Sequence, residues 1–329
     1  MPIRLRFTAA DLLGCRFATS PLAETVSAVR AFVDPRQRAY LGPWWDAVRH
    51  TPPDPVLTAV TPVNPLGAEV PDFLSPPPSG AAPRIEDQLA EVRAASVAHV
   101  AAELRRCRDT QPDKLARTRI EGLLADPEAA RHRVADELAN AWRDLVLPWW
   151  PRIRELLDAD VAYRSRLLAG HGLGHVVADL DDRVSWADDT IVVRSRAEQE
   201  CALAGRGLVF MPSAFIWPGI AAVIESPWRP TLVYPARGIG ELWRERGDPP
   251  AALARLLGST RALLLDDLAE PLSTTVLAAR HGLSAGGVSA HLAALHGAGL
   301  LVRRRHRHEV RYARTALGDA LATGIMPED

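Results

Sequence analysis

Lysine is almost absent from this chain: Lys114 is the only one among 329 residues, so nearly every positive charge is an arginine. Cysteine is scarce as well. Cys15, Cys107 and Cys201 are widely separated, odd in number and form no C-x-x-C unit, which excludes a fully paired disulfide framework and implies reduced thiols. No apolar run approaches membrane-spanning length and the N-terminus lacks a signal-peptide core, so the expected setting is the cytoplasm, with no membrane partner. The formal charge of −1 leaves the whole surface without a positive excess, so any contact with a nucleic acid has to be local. Neither a phosphate loop nor a convincing nucleophile–base pair is present, and the chain reads as a non-enzyme without a cofactor.

What is present is ordinary globular composition, 47% hydrophobic and 24% charged, in a length that accommodates two domains with separate cores. Ile3, Leu5 and Phe7 alternate with Arg4 and Arg6, the period of a strand. After Ser20 and Pro21, the stripe Leu22, Val26, Val29 and Val33 predicts a helix. Prolines recur from Pro52 to Pro83 and predict a loop. From Ile85 to Leu168 helical spacing dominates. Ile85, Leu89, Val92, Val100 and Leu104 form one face, and Val134, Leu138, Trp142 and Leu145 another, with an interruption at Pro148 to Pro151. Short β-branched or aromatic runs at 184–186, 190–193, 207–211 and 231–234, separated by Asp, Gly or Pro, predict antiparallel strands. Residues 242–257 return to helix, interrupted by Gly247, Pro249 and Pro250, and the domain boundary is expected near Pro249.

The densest signal lies between Ser273 and Tyr312. Val276, Leu277 and Ala279 mark a short helix ending at about Gly282; Leu283 fills the turn; Ser284 is the N-cap of a second helix whose buried stripe is Val288, Leu292 and Leu295. Gly297 and Gly299 stop that helix. At roughly 100° per residue its outward face carries Gly286, Gly287, Ala290 and Ala294, with Ser289 and His291 flanking. Small residues let a helix backbone approach base edges but supply few donors, so hydrogen bonding falls to Ser284, Ser289 and His291. Beyond it, Arg303, Arg304, Arg305, Arg307, Arg311 and Arg314 face one acid, Glu309, in what reads as a basic hairpin.

The run from Ala262 to Gly318 resembles the winged helix-turn-helix of ArsR-type bacterial repressors, on the pattern S-x-H-L at Ser289, His291 and Leu292, then Leu295, Ala298, Gly299, Leu300 and Tyr312. The resemblance covers about the last fifth of the chain. It implies a homodimer on an inverted repeat of double-stranded DNA, acting as a repressor released by an effector. Metal sensors of that type often carry cysteines on the helix before the recognition helix; Ser273, Thr274 and Thr275 stand there instead. More loosely, the opening PIRLRF, the run from Ser20 and VYPARGIGELW from Val233 resemble an uncharacterised N-terminal domain often carried by actinobacterial ArsR-like proteins.

Three other constellations compete for attention. His171 and His175 precede Asp179, Asp181 and Asp182, but Gly170, Gly172 and Gly174 disfavour a shared helical face, so a glycine-rich turn is expected rather than a metal site. Nine tryptophans suit either core packing, the favoured reading, or an aromatic pocket for an organic effector. Arg237, Gly238 and Gly240 suit either an anion site or a tight strand-to-helix turn.

The expectation is therefore an α+β protein: residues 1–249 form a mainly helical sensor or dimerisation domain with a small antiparallel sheet and room for a small-molecule effector, and residues 250–329 a winged helix-turn-helix. Its expected function is sequence-specific transcriptional regulation. The expected DNA contacts are Ser284, Gly286, Gly287, Ser289, Ala290, His291, Arg303, Arg304, Arg305, Arg307 and Arg311, with no catalytic or metal-binding residues. The alternative is a ligand-binding or enzymatic front domain whose winged helix serves dimerisation or protein docking.

Overall fold

The alternation of Ile3 and Leu5 with Arg4 and Arg6 becomes strand β1 (Pro2–Arg6), with both apolar side chains buried. The computed structural model describes residues 2–33, 41–50, 57–64, 70–195, 198–217, 219–242, 251–268, 271–281, 283–306 and 309–323. The protein is mixed α+β and separates into two compact units, Met1–Arg244 and Glu245–Asp329. The residues on which a boundary near Pro249 was expected, with Gly247 and Pro250, lie outside the described residues.

Helices make up most of the first unit. After the short α1 (Ala9–Gly14), α2 (Pro21–Val33) buries Leu22, Val26 and Val29 as its stripe requires, but Val33, its last residue, is exposed. Two short helices, α3 (Gly42–Val48) and α4 (Val60–Val63), lead to a bundle of α5 (Ile85–Ala94), α6 (Val97–Thr110), α7 (Lys114–Ala125) and α8 (Pro127–Ala141). Here α4 corrects the expectation of a loop from Pro52 to Pro83: Pro62 sits in its short turn, and Glu137 of α8 accepts the backbone N–H groups of Ala59 and Val60. The interruption around Pro148 is a π turn at Trp142–Val146 and a 3₁₀ turn at Leu147–Trp149, after which α9 (Trp150–His171) and α10 (Leu173–Ala178) follow. Val92, Val100, Leu104, Val134, Leu138, Leu145 and Ile153 are fully buried in one shared core.

The sheet content corrects the expected small antiparallel sheet. Among the described residues of the first unit there are two four-stranded sheets, both mixed. In the first, β1 lies between β4 (Thr190–Arg194), antiparallel, and β5 (Gln199–Ala202), parallel, with β3 (Val184–Ala187) outside β4; in the second, the short β2 (Arg16–Phe17) and β8 (Thr231–Pro235) run parallel to β6 (Val209–Ser213). Strand β7 (Ala221–Val223) pairs antiparallel with β8 on its far side, so β6 has β2 and β8 as neighbours rather than β7, which follows it in the chain. Every residue of β6 is buried, the signature of a strand covered on both faces. The first unit's described part closes with α11 (Ile239–Leu242).

The second unit runs α12 (Ala251–Leu257), α13 (Ser259–Asp267), β9 (Leu272–Ser273), α14 (Thr274–His281), α15 (Ala285–Gly297), β10 (Leu301–His306), β11 (Glu309–Arg314) and α16 (Ala316–Thr323). Its core collects Leu264, Leu265 and Leu268 from α13 and its end, Leu277 from α14, Val288, Leu292 and Leu295 from α15, and Leu301 from β10. The sheet order is β10-β11-β9. Strand β9 was not expected, because two residues carry no readable period.

Candidate nucleic-acid interface

Helix α14 packs through Leu277 and Ala278, while Val276 is only half-buried. Gly282 lies outside the described residues, and Leu283 is 39% exposed rather than filling the turn. Its N–H nevertheless donates to the Ala278 carbonyl at 3.0 Å and closes the end of α14. Ser284 is the N-cap of α15, its Oγ accepting the Gly287 N–H at 3.1 Å, which leaves its hydroxyl proton available. The amides of Ala285 and Gly286 have no acceptor among the described residues. At the other end Gly299 takes φ +75°, Leu300 N–H reaches the Leu295 carbonyl and Gly299 N–H the His296 carbonyl, a glycine-dependent stop that turns the chain into β10.

The stripe Val288, Leu292, Leu295 faces inward, so the opposite face is fixed. Gly286, Gly287, Ser289 and Ala290 are exposed there, and His291 is half-buried at the edge. A Cβ added to Gly286 would meet nothing within 4 Å, and its φ is not positive. Neither space nor backbone conformation therefore requires glycine in this first helical turn, where it costs up to about 1 kcal/mol relative to alanine.

Register divides the arginines between two faces of the hairpin. Arg304 lies opposite Arg311, Arg303 opposite Tyr312 and Arg305 opposite Val310, so Arg304 and Arg311 share one face while Arg303 and Arg305 share the other with Tyr312. Arg303, Arg304 and Arg305 are exposed, and no carboxylate among the described residues pairs with them. Arg311 is half-buried on the central strand, opposite Ser273 on its other side. Arg307 lies outside the described residues. Tyr312 packs on the core as the alternation implies, but Val310 is 44% exposed, because the hairpin projects beyond the core there.

Arg314 corrects the count of six arginines against one acid. Its side chain is 7% exposed; Nε donates to the Leu265 carbonyl at 2.7 Å, Nη2 to the Asp266 carbonyl, and Asp266 and Asp319 lie at 3.5 and 3.6 Å. It caps the C-terminal end of α13 and is part of the scaffold.

The other constellations lie in the first unit. Helix α9 ends at His171 and α10 starts at Leu173, with the two imidazoles 5.4 Å apart; among the described residues no three His, Cys, Asp or Glu side chains are placed to hold a metal. Arg237 stacks 3.7 Å over Tyr163 and reaches Asp179 at 3.5 Å, while its N–H donates to Asp160, so R-G-x-G is a strand-to-helix turn, with Gly238 at φ +82°. Trp44 is fully buried, donates to the Leu145 carbonyl and meets Phe215 edge-on; Trp186 packs on Phe7, and Trp228 donates to Glu103. Trp243 lies outside the described residues.

Sequence reasoning missed the buried polar groups of this unit. Arg164 bonds Asp160 at 3.1 Å and Asp179 at 3.1 Å, and Tyr234 donates to Asp160 at 2.8 Å. Burial pushes the Tyr234 hydroxyl well above the ordinary tyrosine range, with the Asp160 charge adding to it. Glu24, on α2, is pushed up to about 7 by desolvation, which outweighs hydrogen bonds from Ser213, Ala214 and Phe215. The i, i+4 spacing of Asp160 and Arg164 was a visible signal, but surface pairs share it.

The profile of a family of unknown function (DUF5937) matches residues 88–240, just under half the chain, and stops before the second unit begins. No curated protein and no solved structure matches significantly.

Proposed function

We propose that the second unit is a winged helix-turn-helix that binds double-stranded DNA, and that the protein is a homodimeric transcriptional regulator, a repressor on an inverted repeat, rather than an enzyme. Helix α15 enters the major groove by its N-terminal turn, and the β10–β11 hairpin is the wing. The observation that carries this reading is the pairing of two features in one unit. A helix start stripped of bulk (Gly286, Gly287, Ser289 and Ala290, all exposed) is followed by a hairpin exposing Arg303, Arg304 and Arg305 without carboxylate partners among the described residues. Close approach of backbone to base edges explains Gly286, which nothing inside the fold requires. Cations on both faces of a hairpin suit a wing lying between phosphate ridges. Cytoplasmic placement follows from this function; no helix of the described residues is long and apolar enough to cross a membrane.

Docking of the hairpin on another protein is favoured by the exposure of Val302 and Val310, 37% and 44%. Footprinting on the DNA upstream of the protein's own coding sequence separates the two. A protected, two-fold symmetric site whose base preference changes in Ser289→Ala supports DNA reading; uniform, unprotected DNA at low salt refutes it.

A further inference from the structure

The first unit holds a cavity of about 220 Å³ where residues 82–86 meet the start of α9. Trp142 and Trp150 line it with Pro21 and Pro83, together with Arg84 and Arg154, whose side chains are exposed. Glu86 also lines it and pairs with Arg84 at 3.2 Å, while Arg154 pairs with Asp158 at 3.5 Å, so the lining contributes two guanidinium groups and one carboxylate.

The placement of the indoles is unusual for the chain that carries them. Eight residues apart on an uninterrupted helix, their backbones would be separated by about 12 Å along the axis. The π turn at Trp142–Val146 and the 3₁₀ turn after it break that helix, and the rings meet edge to face at 5.1 Å beside the cavity. A π turn weakens a helix and persists most often where a side chain has to be aimed at something.

We propose that this cavity binds a small aromatic carboxylate. Indoles lining a cavity accept a flat ring, an exposed guanidinium accepts a carboxylate in a forked geometry, and the space, equal to about seven waters at roughly 30 Å³ each, suits one ring or two fused rings. The same turn of α9 carries Arg152, whose guanidinium lies 5.7 Å over Trp149 and donates to the carbonyl of Leu242 at 2.7 Å. Leu242 is the last described residue before the second unit begins at Glu245. A ligand that shifts Trp150 and Arg154 therefore acts on the turn that holds the chain's exit, and through it on DNA affinity. That consequence rests on the reading of the second unit as a DNA-binding module; the binding itself does not.

Calorimetric titration of the full chain with 1-naphthoate tests the site directly. One saturable site per chain is expected, with at least tenfold weaker binding of 1-naphthalenemethanol, no binding of acetate, and a fivefold or greater loss in Arg154→Gln at unchanged melting temperature. No saturable binding, equal binding of the alcohol, or full affinity in an Arg84→Gln/Arg154→Gln variant overturns the site. In a second arm, saturating 1-naphthoate is expected to change the affinity for the footprinted DNA at least fivefold, and an unchanged affinity overturns the coupling. Naphthoate binding without DNA binding by the free protein supports the site and refutes the DNA reading; DNA binding without naphthoate binding does the reverse.

Discussion

In the first unit Asp160 and Arg164 are buried against each other, with Tyr234 and Asp179 completing the network, whereas in the second Arg303, Arg304 and Arg305 stand exposed on a hairpin with no carboxylate partner among the described residues. The same residue type is used oppositely at these two places. Burial makes a charge dependent on its neighbours, and in this network Arg164 and Asp160 satisfy each other internally. Exposure leaves a charge hydrated and open to an external anion, so Arg303, Arg304 and Arg305 contribute little to folding. Arg314 shows that the division follows environment rather than sequence position: it ends the basic run yet belongs to the scaffold.

The largest effect should come from the buried network. Arg164→Ala leaves the fully buried Asp160 without its ion-pair partner and should lower stability by about 3–5 kcal/mol in denaturant unfolding of the first unit. A loss below about 1 kcal/mol would mean that the network is not a stability element.

Next comes pH. Glu24 titrates at about 7 in the fold against 4.5 ordinarily, so its protonated form is favoured by folding. Its contribution is fully present below pH 4.5 and is lost as pH rises to about 7, a decline on the order of 3 kcal/mol. Glu24→Gln keeps the acceptor for Ala214 N–H and should flatten that segment of the stability–pH curve; an unchanged curve contradicts the assignment.

Gly286→Ala sharpens the comparison because its two effects have opposite signs. Stability should rise by up to about 1 kcal/mol while DNA affinity falls at least tenfold, read by thermal unfolding and fluorescence anisotropy. A gain in stability with full DNA affinity would remove the argument for close backbone approach.

These distinctions were unevenly legible in the sequence. The stripe Val288, Leu292, Leu295, the Ser284 cap and the Gly299 stop were readable because each is a local requirement of one helix. The pairing of β6 with β8 rather than with its chain neighbour β7 was not, since side-chain alternation fixes which face is buried and says nothing about strand order. Arg314 looked like its neighbours because the carbonyls that hold it are 48 and 49 residues away. The cavity was equally hidden: Trp142 was readable as part of a core stripe, and only the π turn sets it beside Trp150.

Smallest in stability, and most direct for the central claim, is the triple change Arg303→Ala, Arg304→Ala, Arg305→Ala, measured by anisotropy on the footprinted DNA across a salt series. The account predicts stability within about 0.5 kcal/mol of the parent, since none of the three is buried. It predicts weaker binding on every sequence and a slope of log K against log salt flatter by up to about 3, roughly 0.9 for each phosphate contact removed. An unchanged slope at full affinity would contradict it.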